Sequence, residues 1–241
     1  AEQELLRRLR SNLRAAGLQE ISHLSLVASE EPSNPAQVAI SNPLLTDYGC
    51  LRTTVVPALL EAAARNLQAS QAGFWSFEIG KVFARDGDVF SEEERLCGVL
   101  AGERRQGLWS TSGQPSPLSY HQGRGLLARA MAQLGLSLQD RRLEDDERLH
   151  PGRSATLVLE GKVIGVFGEL HPRLAEQQDL PAGTLIFDLA LQPVLTAASR
   201  TNRYCPAFKS FATVPASERD LAFVVEDTQD VASVLQTIRK A

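Results

Sequence analysis

Histidines, cysteines and clustered acids are the side chains from which catalytic and metal sites are most often built, and in this sequence they lie scattered. None of the four histidines, His23, His121, His150 and His171, falls in a predicted helix four residues from another ligand, the spacing that suits zinc. H-E-x-x-H, C-x-x-C and a P-loop are all absent. Cys50, Cys97 and Cys205 are odd in number and far apart, which argues for reduced, packed thiols rather than a disulfide framework. A Ser-His-Asp arrangement assembled from distant positions stays open, although G-x-S-x-G is absent. Gly161-x-x-x-Gly165-x-x-Gly168 has the wrong first spacing for a dinucleotide fingerprint and no helix after it. The acidic run Glu144 to Glu147 reads as a solvated edge, and Arg7-Arg8-Arg10 and Arg141-Arg142 read as solvated faces rather than phosphate clamps. The residues taken by themselves supply no catalytic, cofactor-binding or metal-binding constellation.

Composition narrows the class. With 25 Lys+Arg against 29 Asp+Glu the chain carries a formal charge of −4, so a whole-surface basic footprint for nucleic acid is missing. Hydrophobic residues make up 43% of 241, enough for a real core, and no apolar stretch approaches the length of a membrane span. These features predict a cytoplasmic globular protein.

The elements that would position any site follow from periodicity. Leu5, Leu6, Leu9 and Leu13 predict a helix over Glu2 to Ala16, ended by Gly17, and Glu20 to Val27 alternates as a strand. A long helix is expected from Leu51 to Ala69, with Pro57 in its first turn. Trp75 to Ala84 and Leu96 to Ala101 read as an antiparallel hairpin joined through Arg85-Asp86-Gly87-Asp88. Gly102 to Pro117 is expected as a loop and Gly123 to Leu136 as a helix. Ala155 to Leu159 and Val163 to Leu170 predict a second hairpin around Glu160-Gly161. A short helix from His171-Pro172, a strand Leu185 to Leu189 and a helical stub Gln192 to Ala198 complete the first part. The predicted fold class is α+β, an antiparallel sheet flanked by helices, over residues 1–200. Residues 201–215 read as a linker. Residues 216–241, with a strand Arg219 to Val225 and a helix Asp230 to Lys240, read as the opening of a further domain.

Two sets of residues carry a resemblance. The helix, then Gly17-Leu18-Gln19-Glu20-Ile21, then a strand, resembles motif 1 of class II aminoacyl-tRNA synthetases. The ordered series Asn42-Pro43-Leu44, Leu51-Arg52-x-x-x-x-Pro57-x-Leu59-Leu60, Phe77-Glu78-Ile79-Gly80-Lys81-Val82-Phe83, His150-Pro151-Gly152-Arg153-Ser154-Ala155 and Gly168-Glu169-Leu170-His171-Pro172 is similar to the catalytic-like domain of the beta subunit of bacterial phenylalanyl-tRNA synthetase. Ser217 to Val225 resembles the first strand of that subunit's ferredoxin-like anticodon-binding domain.

The resemblance implies a class II synthetase-like core and a truncated ferredoxin-like β-α tail. A working class II site holds ATP with an arginine on the motif 2 strand, and here that position is Ala84; Arg85, one residue on, falls on the opposite face. The motif 3 strand Leu185-Ile186-Phe187-Asp188-Leu189 offers no arginine, and Gly123-x-Gly125-x-x-x-Arg129 imitates motif 3 only within a helix. The implied role is therefore a non-catalytic scaffold in an α₂β₂ enzyme that attaches phenylalanine to tRNA(Phe). ATP and Mg²⁺ would be bound outside this chain, by the alpha subunit that performs adenylation. Leu9, Leu13, Val55, Val56, Leu59, Leu60 and Leu67 are the expected apolar subunit interface. A rival expectation is a free-standing synthetase-derived domain that binds a small molecule or adenylate itself, and another is a regulatory paralogue in amino-acid biosynthesis.

Overall fold

A computed structural model of the chain describes residues 2–29, 34–103 and 118–200, and beyond them 208, 210–211, 213–215, 217–226, 229 and 231–240. The chain divides into two units, Ala1–Tyr204 and Cys205–Ala241.

The first unit begins with α1 (Glu2–Ala15), whose buried Leu5, Leu9 and Leu13 recur every fourth residue on one stripe. It ends in a Schellman arrangement: Gly17 takes φ 101°, and the Leu18 and Gly17 amides donate to the Leu13 and Arg14 carbonyls. Next come β1 (Gln19–Glu20), β2 (Leu26–Val27), β3 (Cys50–Leu51) and α2 (Val56–Gln68), which has Pro57 in its first turn. The hairpin strands β4 (Gly73–Asp86) and β5 (Val89–Gly102) pair without interruption from Gly73 opposite Gly102 to Asp86 opposite Val89.

Helix α3 (Tyr120–Ala132) and the edge strand β6 (Gln139–Arg142) precede a second hairpin, β7 (Leu149–Leu159) and β8 (Lys162–Leu170). Its turn residues Glu160 and Gly161 lie at φ 51° and 82°, the pair of left-handed conformations that matches strand twist in a two-residue turn. Helix α4 (Pro172–Gln177), β9 (Leu185–Ala190) and α5 (Leu191–Ala198) close the unit.

Seven strands form one sheet in the order β1-β4-β5-β9-β8-β7-β6, while β2 and β3 pair separately. Each face has its own core. Phe77, Leu96, Phe167 and Phe187 pack beneath α1, α3 and α5 on one side. Val82, Cys97, Val99 and Ile186 pack with α2 and Ala175 of α4 on the other.

The sheet is mixed rather than purely antiparallel, because β1 runs parallel to β4. The strand expected from Glu20 to Val27 is two short pieces in different sheets. Between them the His23 amide donates to the Glu78 carboxylate instead of continuing a ladder. Helix α2 begins at Val56 rather than Leu51, since Leu51 pairs with Leu26 and the Arg52 amide with the Ser25 carbonyl. The hairpin strands extend beyond their expected ends, with Arg85 and Asp86 inside β4.

Strand β6 went unexpected because Gln139–Arg142 is polar throughout and exposed, so it shows no alternation. The Arg219 to Val225 strand is corrected as well: among the described residues of the second unit this stretch pairs with nothing, since a ladder needs a neighbouring strand, and only α6 (Val231–Lys240) is regular. Most of the expected loop 102–117 and linker 201–215 lies outside the described residues.

Helix α3 starts three residues before the expected Gly123 because Ser119 caps it. The Ser119 side chain accepts from the Gln122 amide while the Gln122 side chain accepts from the Ser119 amide. Ser119→Ala should lower stability by about 1 kcal/mol. That corresponds to ~2–4 °C in a thermal melt of a chain this size.

Candidate functional site

Strand register collects the polar residues of the α2-covered face into one row. Glu78 on β4 stands opposite Cys97 on β5, Cys97 opposite Asp188 on β9, and Asp188 opposite Val166 on β8. Side chains of directly opposed residues share a face. The row therefore lays a carboxylate, a thiol and a second carboxylate across three central strands.

At one end, Glu78 is 1% exposed and Arg52 3%, and the Arg52 Nη1 lies 2.8 Å from the Glu78 Oε1. Arg52 Nε donates to the Lys81 carbonyl at 2.9 Å, and the His23 Nδ1 sits 2.6 Å from the other Glu78 oxygen. Gly80 leaves room for this pair, since a Cβ there would come within 2.3 Å of Arg52 Nη2 and 2.7 Å of Glu78 Oε1 and displace their ends. Burying an ion pair is tolerable only when its remaining lone pairs and protons are met. Here a guanidinium, an imidazole and a backbone amide surround one carboxylate. The landmarks Leu51-Arg52 and Phe77-Glu78-Ile79-Gly80 thus belong to a single lock joining the residues before α2 to the central hairpin.

At the other end, Asp188 is 7% exposed and holds two arginines. Arg95 donates to its Oδ1 through Nε at 2.9 Å and Nη2 at 2.7 Å, and Arg148 donates to its Oδ2 through Nη1 at 3.2 Å. The Cys97 thiol donates to Oδ1 at 3.2 Å. Each arginine has a further carboxylate: Asp146 chelates Arg148 through both oxygens, at 2.9 and 2.7 Å, and Glu93 lies 3.2 Å from Arg95. Burial and the neighbouring Asp188 charge push the Cys97 thiol well above its ordinary range, which keeps it protonated and inert as a nucleophile. Burial lowers the affinity of Arg95 for its proton, but the Asp188 charge and hydrogen bonds, with the Glu93 charge, together outweigh it and raise the pKa. Burial would raise the Asp146 pKa, and the Arg148 hydrogen bonds and charge together overcome it, holding the carboxyl below its usual range.

Alternation along β4 places Ala84 on the face of Glu78 and Gly80 and Arg85 on the opposite one, as expected. Arg85 is exposed near the hairpin tip, where its Nε donates to the Gly87 carbonyl. The face is nevertheless not devoid of cations, because Arg52, Arg95 and Arg148 reach it from other positions. Each is met by the chain's own carboxylates. Sequence reasoning missed Arg95, Arg148 and Asp188 as a group, since their separations of 40 and 93 residues leave no local signal.

The residues expected at a subunit interface require correction. Leu9, Leu13, Val55, Val56, Leu59 and Leu60 are buried in this chain's own cores, so their side chains present no surface to another subunit. Leu67 is half-buried against the α2-side core. Exposed apolar side chains lie instead around β2 and β3: Leu24 is 66% exposed, Leu44 100% and Leu45 61%.

Other candidates resolve as structure. Arg7 and Arg8 pair with Glu4, Arg10 pairs with Glu20, and Arg153 pairs with Glu169. In the acidic run Asp146 is half-buried and paired, while Glu144, Asp145 and Glu147 are exposed. His171 caps α4 by accepting from the Arg173 amide, and His150 accepts from the Gly152 amide. Gly123, Gly125 and Arg129 all lie within α3. Among the described residues no helix is long and apolar enough to cross a membrane.

Residues 1–191 match the protein family described as the phenylalanyl tRNA synthetase beta chain CLM domain. The phenylalanine–tRNA ligase beta subunit of Parasynechococcus marenigrum (strain WH8102) is 51% identical over 239 residues, covering 99% of this chain and 29% of that protein. The beta subunit of Trichormus variabilis (strain ATCC 29413 / PCC 7937) is 38% identical over 240 residues, again 29% of its length. This chain therefore spans under a third of the curated relatives it matches. Among solved structures, that of Desulfitobacterium hafniense PylSc, a pyrrolysyl tRNA synthetase, superposes with a TM-score of 0.59 at 13% identity, covering 82% of this chain and 66% of that one. At that identity the likeness speaks for the fold alone.

Proposed function

Because the chain belongs to the family of phenylalanyl-tRNA synthetase beta-chain CLM domains, we propose that it is a non-catalytic scaffold within a phenylalanine–tRNA ligase beta subunit, supporting ATP-dependent attachment of phenylalanine to tRNA by an alpha subunit in the cytoplasm. The observation that carries this reading is the occupied sheet face. Adenylation develops negative charge that an enzyme must meet with preorganised cations. On this face Arg52 faces Glu78, Arg95 faces Asp188, and Arg148 faces Asp146 and Asp188. ATP and Mg²⁺ belong, on this reading, to the alpha subunit, and tRNA(Phe) to the complete assembly. The rival, a free-standing domain that binds an adenylate, would need a cation released from those pairs.

The subunit contact falls on the exposed apolar side chains around β2 and β3 rather than on the buried leucines of α1 and α2. Light scattering on this chain mixed with a phenylalanyl-tRNA synthetase alpha subunit should show a species larger than either alone. Leu44→Asp combined with Leu45→Asp should weaken that association at least tenfold while leaving the melting temperature of the chain within about 2 °C, because exposed substitutions seldom exceed ~0.5 kcal/mol. Association that survives the double substitution would move the contact elsewhere, and no association at all would count against the scaffold reading of this stretch.

A further inference from the structure

The arrangement around Asp188 has the form of an anion site that already contains its anion. Arg95 and Arg148 come from separate places in the chain, on β5 and just before β7, and both oxygens of one carboxylate receive them. Oδ1 alone accepts from Arg95 Nε, Arg95 Nη2 and Cys97 Sγ. Each arginine also has a carboxylate partner other than Asp188. Asp146 chelates Arg148 through both of its oxygens, and Glu93 lies within ion-pair distance of Arg95. The donors aimed at Asp188 thus each have a second anchor, bidentate for Arg148 and single for Arg95, which is the kind of preorganisation that binding a small oxyanion needs. The site also has access to water, as the side chains of Arg148 and Arg95 are 36% and 21% exposed.

We propose that Asp188 is a built-in occupant of a latent two-arginine site for small carboxylates, and that its side chain keeps anionic ligands off this sheet face. This rests on the reading of the face as unused by nucleotide, and it adds the residue that enforces that state. The carboxylate matches the donors, since Arg95 meets its Oδ1 and Arg148 its Oδ2. Formate is the closest mimic of the Asp188 carboxyl group, while phosphate, larger and tetrahedral, presents the same charge chemistry in the wrong shape. Affinity will be modest, because Asp146 and Glu93 already balance the two guanidinium charges once Asp188 is gone.

The test is Asp188→Gly in the full chain, followed by thermal denaturation in formate, phosphate or chloride at matched ionic strength. Formate at tens of millimolar should raise the melting temperature of the variant by several degrees and saturate, phosphate should do so less, and the unsubstituted chain should respond to neither. Arg148→Ala added to Asp188→Gly should abolish the formate response. A folded variant indifferent to formate, or an unsubstituted chain stabilised equally, would overturn the proposal. Should the variant not fold in chloride, refolding from denaturant in formate against chloride gives the second readout: recovery confined to formate supports the site, and failure in both overturns it. ATP·Mg²⁺ binding by the unsubstituted chain would instead count against the scaffold reading, so the two can fail separately.

Discussion

Glu78→Ala should be among the most damaging substitutions in this chain. The glutamate is 1% exposed, lies 2.8 Å from the Arg52 Nη1, and is met by the His23 ring and the His23 amide. Truncating it leaves Arg52, itself 3% exposed, as a buried charge whose remaining side-chain partner among the described residues is the Lys81 carbonyl. Breaking a buried pair from one side costs about 3–5 kcal/mol, mostly the desolvation of the charge left behind. For a chain of this length that is a fall of ~6–20 °C in melting temperature. Removing both charges, as in Glu78→Ala with Arg52→Met, should recover part of the loss, because the orphaned guanidinium goes too. Circular dichroism melts of the single and double variants decide it. A single-variant loss below about 1 kcal/mol, the scale of an exposed pair, would show that the lock does not hold α2 to the hairpin.

Gly165→Ala should be comparably severe for a different reason. Gly165 lies at φ +154°, where a Cβ would come within 2.0 Å of the Asp188 carbonyl oxygen and 2.8 Å of the Leu189 Cα. Those are backbone atoms of β9, so relief requires opening the β8–β9 ladder, and with it the strand that presents Asp188 to its arginines. The expected cost is about 4 kcal/mol or more, in the range reserved for steric conflict and backbone strain. Gly161→Ala is the internal control. Its φ of +82° is also left-handed, but nothing lies within 4 Å of the added carbon. The conformational penalty of ~1–2 kcal/mol is then the whole effect. Equal melting temperatures for the two variants would contradict the close approach at Gly165.

The contrast between those two glycines shows what the sequence could carry. There Gly161 reads as a turn residue and Gly165 as one glycine inside the strand Val163 to Leu170, because local pattern does not reveal what lies across from a position. Periodicity exposed α1, α2, both long hairpins and β9, whose apolar spacing is set by burial on a face. It passed over β6, where an exposed edge strand leaves Gln139–Arg142 no apolar side to alternate. It also drew the interface leucines too far outward: Leu9 and Leu59 form stripes that look alike whether they cover the chain's own sheet or another subunit.

The candidate site was the least legible part. Ala84 and Arg85 were correctly divided between faces, since a strict two-residue alternation is a local property. The clamp on Asp188 depends on register between β5 and β9, and on a loop residue, Arg148, brought in from before β7. Landmarks such as Leu51-Arg52 and Phe77-Glu78-Ile79-Gly80 stood out in the chain, but the reason for their pairing appears only when Arg52 and Glu78 meet.

On the scaffold reading, the sheet face of this synthetase-like fold is closed to nucleotide by the chain's own charges. Isothermal titration of the full chain with ATP·Mg²⁺, alone and with phenylalanine, tests it most directly. No saturable heat is expected up to about 1 mM ligand, the concentration at which a binding free energy near −4 kcal/mol would register. A saturable isotherm that disappears in Arg95→Ala or Arg148→Ala would contradict the claim, by showing that those arginines leave Asp188 to grip the phosphates.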